Sequence, residues 1–390
     1  MSSVLRNLFY IMMSLFMTLP MSFASTSLGD VAATSSVSQL KKNSPPHFLS
    51  NLELSFRGLM NENHFSKANT FDLTINYFLT YNVNPYIFFK LNPLAQMQSG
   101  HVQSIDANEK LENKISILNA AVYTTWMKES YFALGILNSS QTYSPLLVSE
   151  KGFFSTQVYQ SLYFDLWQLS AQIQAAIPNS ESSVSDQNQK ESTPFLSSVG
   201  FSSNWHRSSK NFAYLALNYF KYSSIPTSIS TVSVESGNTG DTFKISETER
   251  SFKYDYEGID SQFKFTREVL SNLYLLGSGG FIVNEKAPDE MNKATLIGGG
   301  LGYKIGRNLE LEAESSYYKI EPDAVLAYYA NSRFFRTNHQ GIELSTSLLL
   351  KKEKFKISFY YNDSKLVYEN PNQSDEKLYF IKFEVLHVAI

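Results

Sequence analysis

Three glutamates at alternate positions are able to act together on ions. Glu310, Glu312 and Glu314 are separated by single apolar residues. A β-strand places successive side chains on opposite faces, so these carboxylates would form a column on one face of a strand. Such a column either favours cations in the water beside it or pairs with cationic side chains on neighbouring strands. Both alternatives require a strand with one wet face.

No pattern in the chain is typical of an enzyme, a cofactor site or a metal site. The six histidines are scattered without motif spacing, although a nucleophile needs a base within hydrogen-bonding reach. The glycine-rich stretch 298–302 fits a strand, since a phosphate-binding loop would have to open a helix. The chain has no cysteine, which excludes disulfides and thiolate metal sites. We therefore predict no catalytic residues, no cofactor and no metal.

The N-terminus has the features of a secretory signal peptide at 1–24. Arg6 is the only charge before an apolar segment, Pro20 ends that segment, and Ser22 and Ala24 are small residues at the cleavage-reading positions. We expect cleavage after Ala24 and export of the mature chain from the cytoplasm. Residues 25–50 are rich in Ser, Thr and Ala without periodicity, which predicts a flexible lead-in. A single domain then covers 51–390.

Apolar and polar residues alternate from Asn51 almost to the end of the chain, which predicts strands with one apolar and one polar face. The stretch 157–177 is too long for one ordinary strand, and we divide it near Trp167. The remaining predicted strands are 51–59, 70–82, 86–92, 113–126, 130–138, 195–205, 211–222, 252–267, 272–284, 293–304, 308–319, 338–350, 354–364 and 377–389.

Short and long joins alternate along the chain. This alternation indicates that the apolar faces of the strands contact lipid and the polar faces contact water. The joins after the odd strands are predicted to be mostly long and polar, as in 178–194, 223–250 and 321–337. A soluble two-sheet sandwich gives no reason for this alternation. An up-and-down antiparallel barrel in an outer membrane does, with short periplasmic turns and long extracellular loops. We predict an all-β barrel of about 16 strands, with 14 or 18 as alternatives.

The signal peptide, the alternating strands, the rhythm of joins and the polar inner faces together resemble a Gram-negative outer-membrane porin. The resemblance is architectural and covers 51–390. It implies a water-filled channel for passive diffusion of small hydrophilic solutes and ions. It also implies contact with outer-membrane lipid, lipopolysaccharide and the barrel-assembly machinery, and a homotrimer. The alternative is a plugged or narrow barrel that acts as a surface receptor or adhesin. The net charge of −3 indicates no nucleic-acid partner.

Two groups of residues are predicted to form the functional interior. In porins the third loop often folds into the barrel, so the resemblance suggests a constriction here by Tyr143, Leu146, Glu150 and Lys151. A loop packed at the rim is the alternative. We also expect Arg333 and Arg336 to be solvated beside an outer aromatic girdle, with contact to an anionic solute or to lipopolysaccharide phosphates as the alternative. The predicted pore-lining residues are Arg57, Gln172, Gln174, Glu310, Glu312, Glu314, Glu343, Lys354, Lys356 and Lys382.

Overall fold

Sixteen antiparallel strands form a closed barrel in the computed structural model, which describes residues 47–104, 113–178, 191–241 and 250–389. Each strand pairs with its neighbours in sequence, and the last strand pairs with the first. The predicted fold class is therefore confirmed. The predicted signal peptide, 1–24, lies outside the described residues, as does most of the predicted lead-in, 25–50.

The strands agree with the sequence pattern in number and order. The division near Trp167 is correct, because two strands meet there at residues 165–166. The strands are β1 His47–Asn63, β2 Ser66–Asn84, β3 Ile87–Ser104, β4 Lys114–Met127, β5 Ser130–Asn138, β6 Gly152–Phe164, β7 Trp167–Ile177, β8 Phe195–Ser208, β9 Asn211–Ser223, β10 Glu257–Leu270, β11 Leu273–Asn284, β12 Lys293–Ile305, β13 Leu309–Ile320, β14 His339–Leu350, β15 Phe355–Leu366 and β16 Glu376–Ala389.

The two faces of each strand differ in the way that a membrane barrel requires. On β14, Ile342 and Leu344 are exposed on the outer face, whereas Glu343 between them is buried on the inner face. Exposed Phe, Leu, Ile and Val side chains continue this outer apolar surface around the barrel. Lipid offers no hydrogen-bond partners, so a sheet that crosses it must close and must present apolar side chains outward.

The joins that follow the even-numbered strands are all short, and they lie at the end of the barrel where β1 begins and β16 ends, called here the turn end. Glu129, Asp165 and Gly306 adopt positive φ angles in three of these turns, which allows the chain to reverse within a few residues. The longer joins lie at the opposite end, called here the loop end. A hairpin barrel with an even number of strands returns both termini to the same end.

The first join contradicts the predicted rhythm, because β1 and β2 are connected by residues 64–65 alone. The side-chain oxygen of Asn63 accepts hydrogen bonds from the backbone N–H groups of Phe65 and Ser66, at 2.9 and 2.6 Å. An asparagine that satisfies backbone donors in this way stabilises a tight turn. The polar residues flanking it, which the prediction assigned to a long loop, instead extend both strands.

Several other predicted boundaries are wrong, including the start of β6, which lies at Gly152 rather than at residue 157. The barrel begins at His47 rather than at residue 51, and β10 begins at Glu257 rather than at residue 252. β3 continues to Ser104, although the prediction ended it before Pro93. Pro93 lies where the pairing of β3 with β4 shifts register. A proline is tolerated in a sheet at such a bulge, since no ladder hydrogen bond from its nitrogen is needed there.

The fifth loop, which connects β9 to β10, contains a short helix that the sequence analysis did not predict. This helix, α1, spans Thr227–Glu235 and buries Ile229 and Val234. Among the residues that the structure describes, no helix is both long and apolar enough to cross a membrane.

Two neighbouring positions at the middle of β14 test the assignment of the faces. Leu344 lies on the outer face, and Ser345 lies on the inner face. We expect Leu344→Arg to lower the free energy of unfolding by about 2–4 kcal/mol, because it places a cation in lipid. The matched variant Ser345→Arg should change it by less than about 1 kcal/mol. Denaturant unfolding in lipid vesicles, followed by tryptophan fluorescence, measures both. Equal losses would contradict the assignment.

Candidate channel interior

The third loop, residues 139–151, folds into the barrel and is bound to its inner wall. The hydroxyl groups of Tyr143 and of Ser198 on β8 are 2.8 Å apart. The backbone N–H of Ser144 donates to the carboxylate of Asp260 on β10, at 2.9 Å. Tyr143 and Asp260 are both almost fully buried, and burial raises the pKa of the Tyr143 hydroxyl. The loop therefore crosses the interior over several strands.

Asn218 on β9 is the second anchor of this loop. Its side-chain amide donates to the backbone oxygen of Thr142 and accepts from Gln172 on β7, each at 3.0 Å. The contact with Gln172 must cross β8 at Gly200. A Cβ atom at Gly200 would lie 1.9 Å from the side-chain oxygen of Asn218, so only glycine permits this bond.

Side chains of three loops form an apolar cluster inside the loop end of the barrel, called here the loop core. The third loop contributes Leu146 and Leu147, the fifth loop contributes Ile229 from α1, and the seventh loop (321–338) contributes Tyr329 and Phe334. All are almost fully buried. The loop core rests on apolar side chains of the inner wall, including Phe153, Ala176, Leu196, Phe220, Tyr222, Ile282, Ala294, Tyr318 and Ile320.

Hydrogen bonds fix the loops to one another. Asn238 of the fifth loop donates to the backbone oxygen of Val325 and accepts from the N–H of Ala327, both at 2.8 Å. Asp323 accepts from the backbone N–H of Thr239 at 2.9 Å, and burial raises the pKa of this carboxyl group. The seventh loop is thereby held inward by its neighbour rather than by the barrel wall alone.

Two predicted constriction residues, Tyr143 and Leu146, are thus buried in the third loop's contacts with the wall. The other two lie at the end of the loop. Glu150 is exposed and accepts a hydrogen bond from Asn138 at 3.0 Å. The ammonium group of Lys151 lies 3.4 Å from the backbone oxygen of Tyr328 in the seventh loop. The constricting role of all four stays a prediction.

The predicted pore-lining residues lie on the inner face of the barrel, with one exception. Lys354 occupies the turn between β14 and β15, since β15 begins only at Phe355. The register of paired strands places the others on the face opposite to the apolar surface: Arg57, Gln172, Gln174, Glu310, Glu312, Glu314, Glu343, Lys356 and Lys382.

Two members of the glutamate column are held by partners near the turn end. The carboxylate of Glu310 forms ion pairs with Lys210 and, at 2.6 Å, with Lys351. The hydroxyl of Tyr274 on β11 donates to Glu310 and, at 2.6 Å, to Glu312. Lys210 belongs to the turn between β8 and β9, so this cluster connects two distant parts of the wall.

Tyr274 reaches the glutamates only because β12 carries glycine between them. A Cβ atom at Gly302 would lie 1.9 Å from the Cζ atom of Tyr274. The third glutamate of the column, Glu314, is exposed on the inner face and makes no hydrogen bond or ion pair with the residues described.

Arg333 is 51% exposed, but it is paired inside the barrel and does not lie beside an outer aromatic girdle. Its Nε and Nη2 atoms donate to the two oxygens of Glu343, at 2.8 and 2.9 Å. Its guanidinium lies over the ring of Tyr360, 5.0 Å from the centroid, while the adjacent Phe334 is buried in the loop core. The alternating pattern of strands carries no information on inward loops. The apolar run 324–330 in the seventh loop was the available signal.

Comparisons with known proteins identify the fold. No family model and no curated protein matches the chain. Among solved structures, the barrel is similar to OprB of Pseudomonas putida in a high-pH structure, with a TM-score of 0.53, 10% identity and coverage of 89% of this chain and 94% of that one. OccAB1 of Acinetobacter baumannii gives a TM-score of 0.50, 7% identity and coverage of 88% and 97%. Both are outer-membrane porins, so this chain has the fold of a porin-like outer-membrane barrel.

Two glycines of β12 test the Tyr274–glutamate cluster. We expect Gly302→Ala to lower the free energy of unfolding by about 1–3 kcal/mol, because the new methyl group displaces the ring of Tyr274. Gly299→Ala is the matched control, since a Cβ atom at Gly299 would meet only a backbone oxygen at 3.6 Å. Denaturant unfolding of both variants gives the comparison. A Gly302→Ala variant as stable as Gly299→Ala would contradict the packing described.

Proposed function

We propose that this protein is an outer-membrane porin, a water-filled channel through which small hydrophilic solutes and ions diffuse passively. One observation carries the proposal: exposed charged side chains lie on the inner face of a closed barrel. Lys264 on β10 and Glu314 on β13 are both inward and exposed, whereas the outer face is apolar. Exposed charges inside a barrel require water there, and sixteen strands enclose an aqueous channel.

The pathway runs beside the loop core rather than through it. Buried loop side chains fill the loop end next to β6–β13, so water and solutes pass along the inner faces of β14–β16 and β1–β2. The predicted pore-lining residues Arg57, Glu343, Lys356 and Lys382 lie on this side. Transport then depends on pore width and wall charge, and no catalytic step is part of the proposal.

The inward loops favour a channel over a receptor or adhesin. A receptor would need its loops to present side chains to a partner outside the barrel. The third and seventh loops instead bury Leu147 and Tyr329 inside it, and the backbone N–H of Ser149 donates to the oxygen of Tyr329 at 2.8 Å. These two loops therefore shape the interior of the barrel.

The proposal places the turn end in the periplasm and the loop end outside the cell. The outer apolar surface contacts lipid, and lipopolysaccharide surrounds the loop end. The barrel-assembly machinery inserts the chain, and a homotrimer is the expected assembly, as among porins that the chain resembles. Contact with lipid and lipopolysaccharide, insertion by the assembly machinery and the homotrimer are all parts of the proposed function.

Conductance across a planar lipid bilayer tests the proposal. We expect the purified protein to give discrete current steps in KCl. Asp260→Ala removes the acceptor of the Ser144 N–H and should add a second, larger conductance level, because the third loop is then less firmly held. Gln262→Ala, two residues along the inner face of the same strand, is the control and should keep the native level.

Protein that is folded by heat-shifted gel migration but gives no current steps would refute the channel. Asp260→Ala with the native conductance level alone would instead refute the role of the third loop in setting the pore width.

A further inference from the structure

Ion pairs on the inner wall expose their cation and bury their carboxylate. The side chain of Arg57 is 32% exposed, whereas that of its partner Asp72 is 1% exposed. Arg333 is 51% exposed, and its partner Glu343 is 3% exposed. A charge that faces water interacts strongly with an ion in the lumen. A carboxylate buried in the wall behind that charge is farther from the ion, so its electrostatic interaction with the ion is weaker.

The same asymmetry recurs at the turn end of the interior. Lys351 is 40% exposed, and its partner Glu310 is 3% exposed. The pairs of Lys304 with Glu268, at 24% and 32%, and of Lys210 with Glu312, at 21% and 27%, are exceptions. The charge that these ion pairs present to the water is therefore mainly positive.

Charges without partners point the same way. Lys264 is exposed and Lys356 is partly exposed on the inner face, and neither forms a hydrogen bond or ion pair within the described ranges. Glu314 is the corresponding exposed carboxylate. Its nearby charges include Arg333 and Lys356 as well as two glutamates. Of these three exposed or partly exposed side chains on the described inner wall, two are cations and one is a carboxylate.

The two arginines also have hydrogen-bonding capacity left over. Arg57 binds Asp72 through Nε and Nη2, and Arg333 binds Glu343 through the same two atoms. In both, the Nη1 atom has no partner among the residues described. The Nη1 side of each guanidinium can therefore donate hydrogen bonds to an oxyanion such as a carboxylate or a phosphate.

An aromatic pair holds these guanidinium groups in place. The rings of Tyr360 and Phe380 stack at 4.5 Å between centroids. The Cζ atom of Arg57 lies 5.6 Å from the centroid of Phe380, and that of Arg333 lies 5.0 Å from the centroid of Tyr360. The two cations therefore flank one stacked pair on the inner faces of β15, β16 and β1.

We propose that the lumen prefers anions, and that Arg57 and Arg333 form a binding site on the wall for small solutes bearing a carboxylate or phosphate group. This rests on the proposed channel function. The preference arises from which member of each ion pair faces the water, although the whole chain carries a formal charge of −3.

The reversal potential in a KCl gradient measures this preference, since the two ions have similar mobilities in water. We expect a chloride-to-potassium permeability ratio of about two or more at 0.1 M salt, falling toward one near 1 M, because salt screens wall charges beyond a few ångströms. A ratio at or below one in 0.1 M salt would overturn the anion preference.

Neutral variants locate the source of the preference. The double variant Lys264→Gln/Lys356→Gln should lower the permeability ratio, and Glu314→Gln should raise it. Lys221→Gln is the matched control, because Lys221 lies on the outer face near the loop end and its loss should leave the ratio unchanged. A similar shift with Lys221→Gln would overturn the assignment to the inner wall.

Phosphate tests the arginine site. Inorganic phosphate added in the millimolar range should reduce the KCl current of the native protein, and Arg333→Lys should weaken this block about tenfold, since lysine cannot bind bidentately. Equal block in both proteins would overturn the site. Absence of any channel current would refute the proposed function itself, whereas current with a cation preference would refute the anion preference alone.

Discussion

The structure depends on one constraint: every backbone donor and acceptor that faces lipid must be paired within the sheet. The pairing of β1 with β16 meets this constraint by removing the last two free edges. Once the sheet is closed, alternation along each strand separates an apolar outer face from a polar inner face. The positions of the inner ion pairs, the aromatic pair and the loop anchors all follow from this register.

The loop core must also pack against the inner wall of the closed barrel. Most loop side chains pack on apolar side chains of the wall, but at some positions a glycine permits a closer approach. A Cβ atom at Gly280 would lie 3.2 Å from a methyl carbon of Leu146 in the third loop, and Gly200 and Gly302 allow polar contacts to cross a strand. These glycines are therefore positional requirements of the interior rather than weak points of the strands.

Much of the wall was predictable from the sequence, because a period of two is a local property. Glu343 and Leu344 were assigned to opposite faces from their spacing alone, and the number of strands followed. The tight turn at Asn63 was missed although its hydrogen bonds to Phe65 and Ser66 are local. The strand passing through Pro93 was missed because it depends on a bulge in the pairing with β4. The inward loops, and the exposure of Arg333 relative to Glu343, depend on contacts between residues far apart in sequence, which alternation does not encode.

The central claim is a wet lumen inside an apolar wall, and the absence of native cysteine allows a direct measurement. Single cysteines at Leu344, Ser345, Thr346 and Ser347 sample successive positions of β14. In lipid vesicles, a charged maleimide that cannot enter lipid should label the variants at 345 and 347 quickly and those at 344 and 346 slowly. Labelling without this alternation, or faster labelling at 344 and 346, would contradict the account.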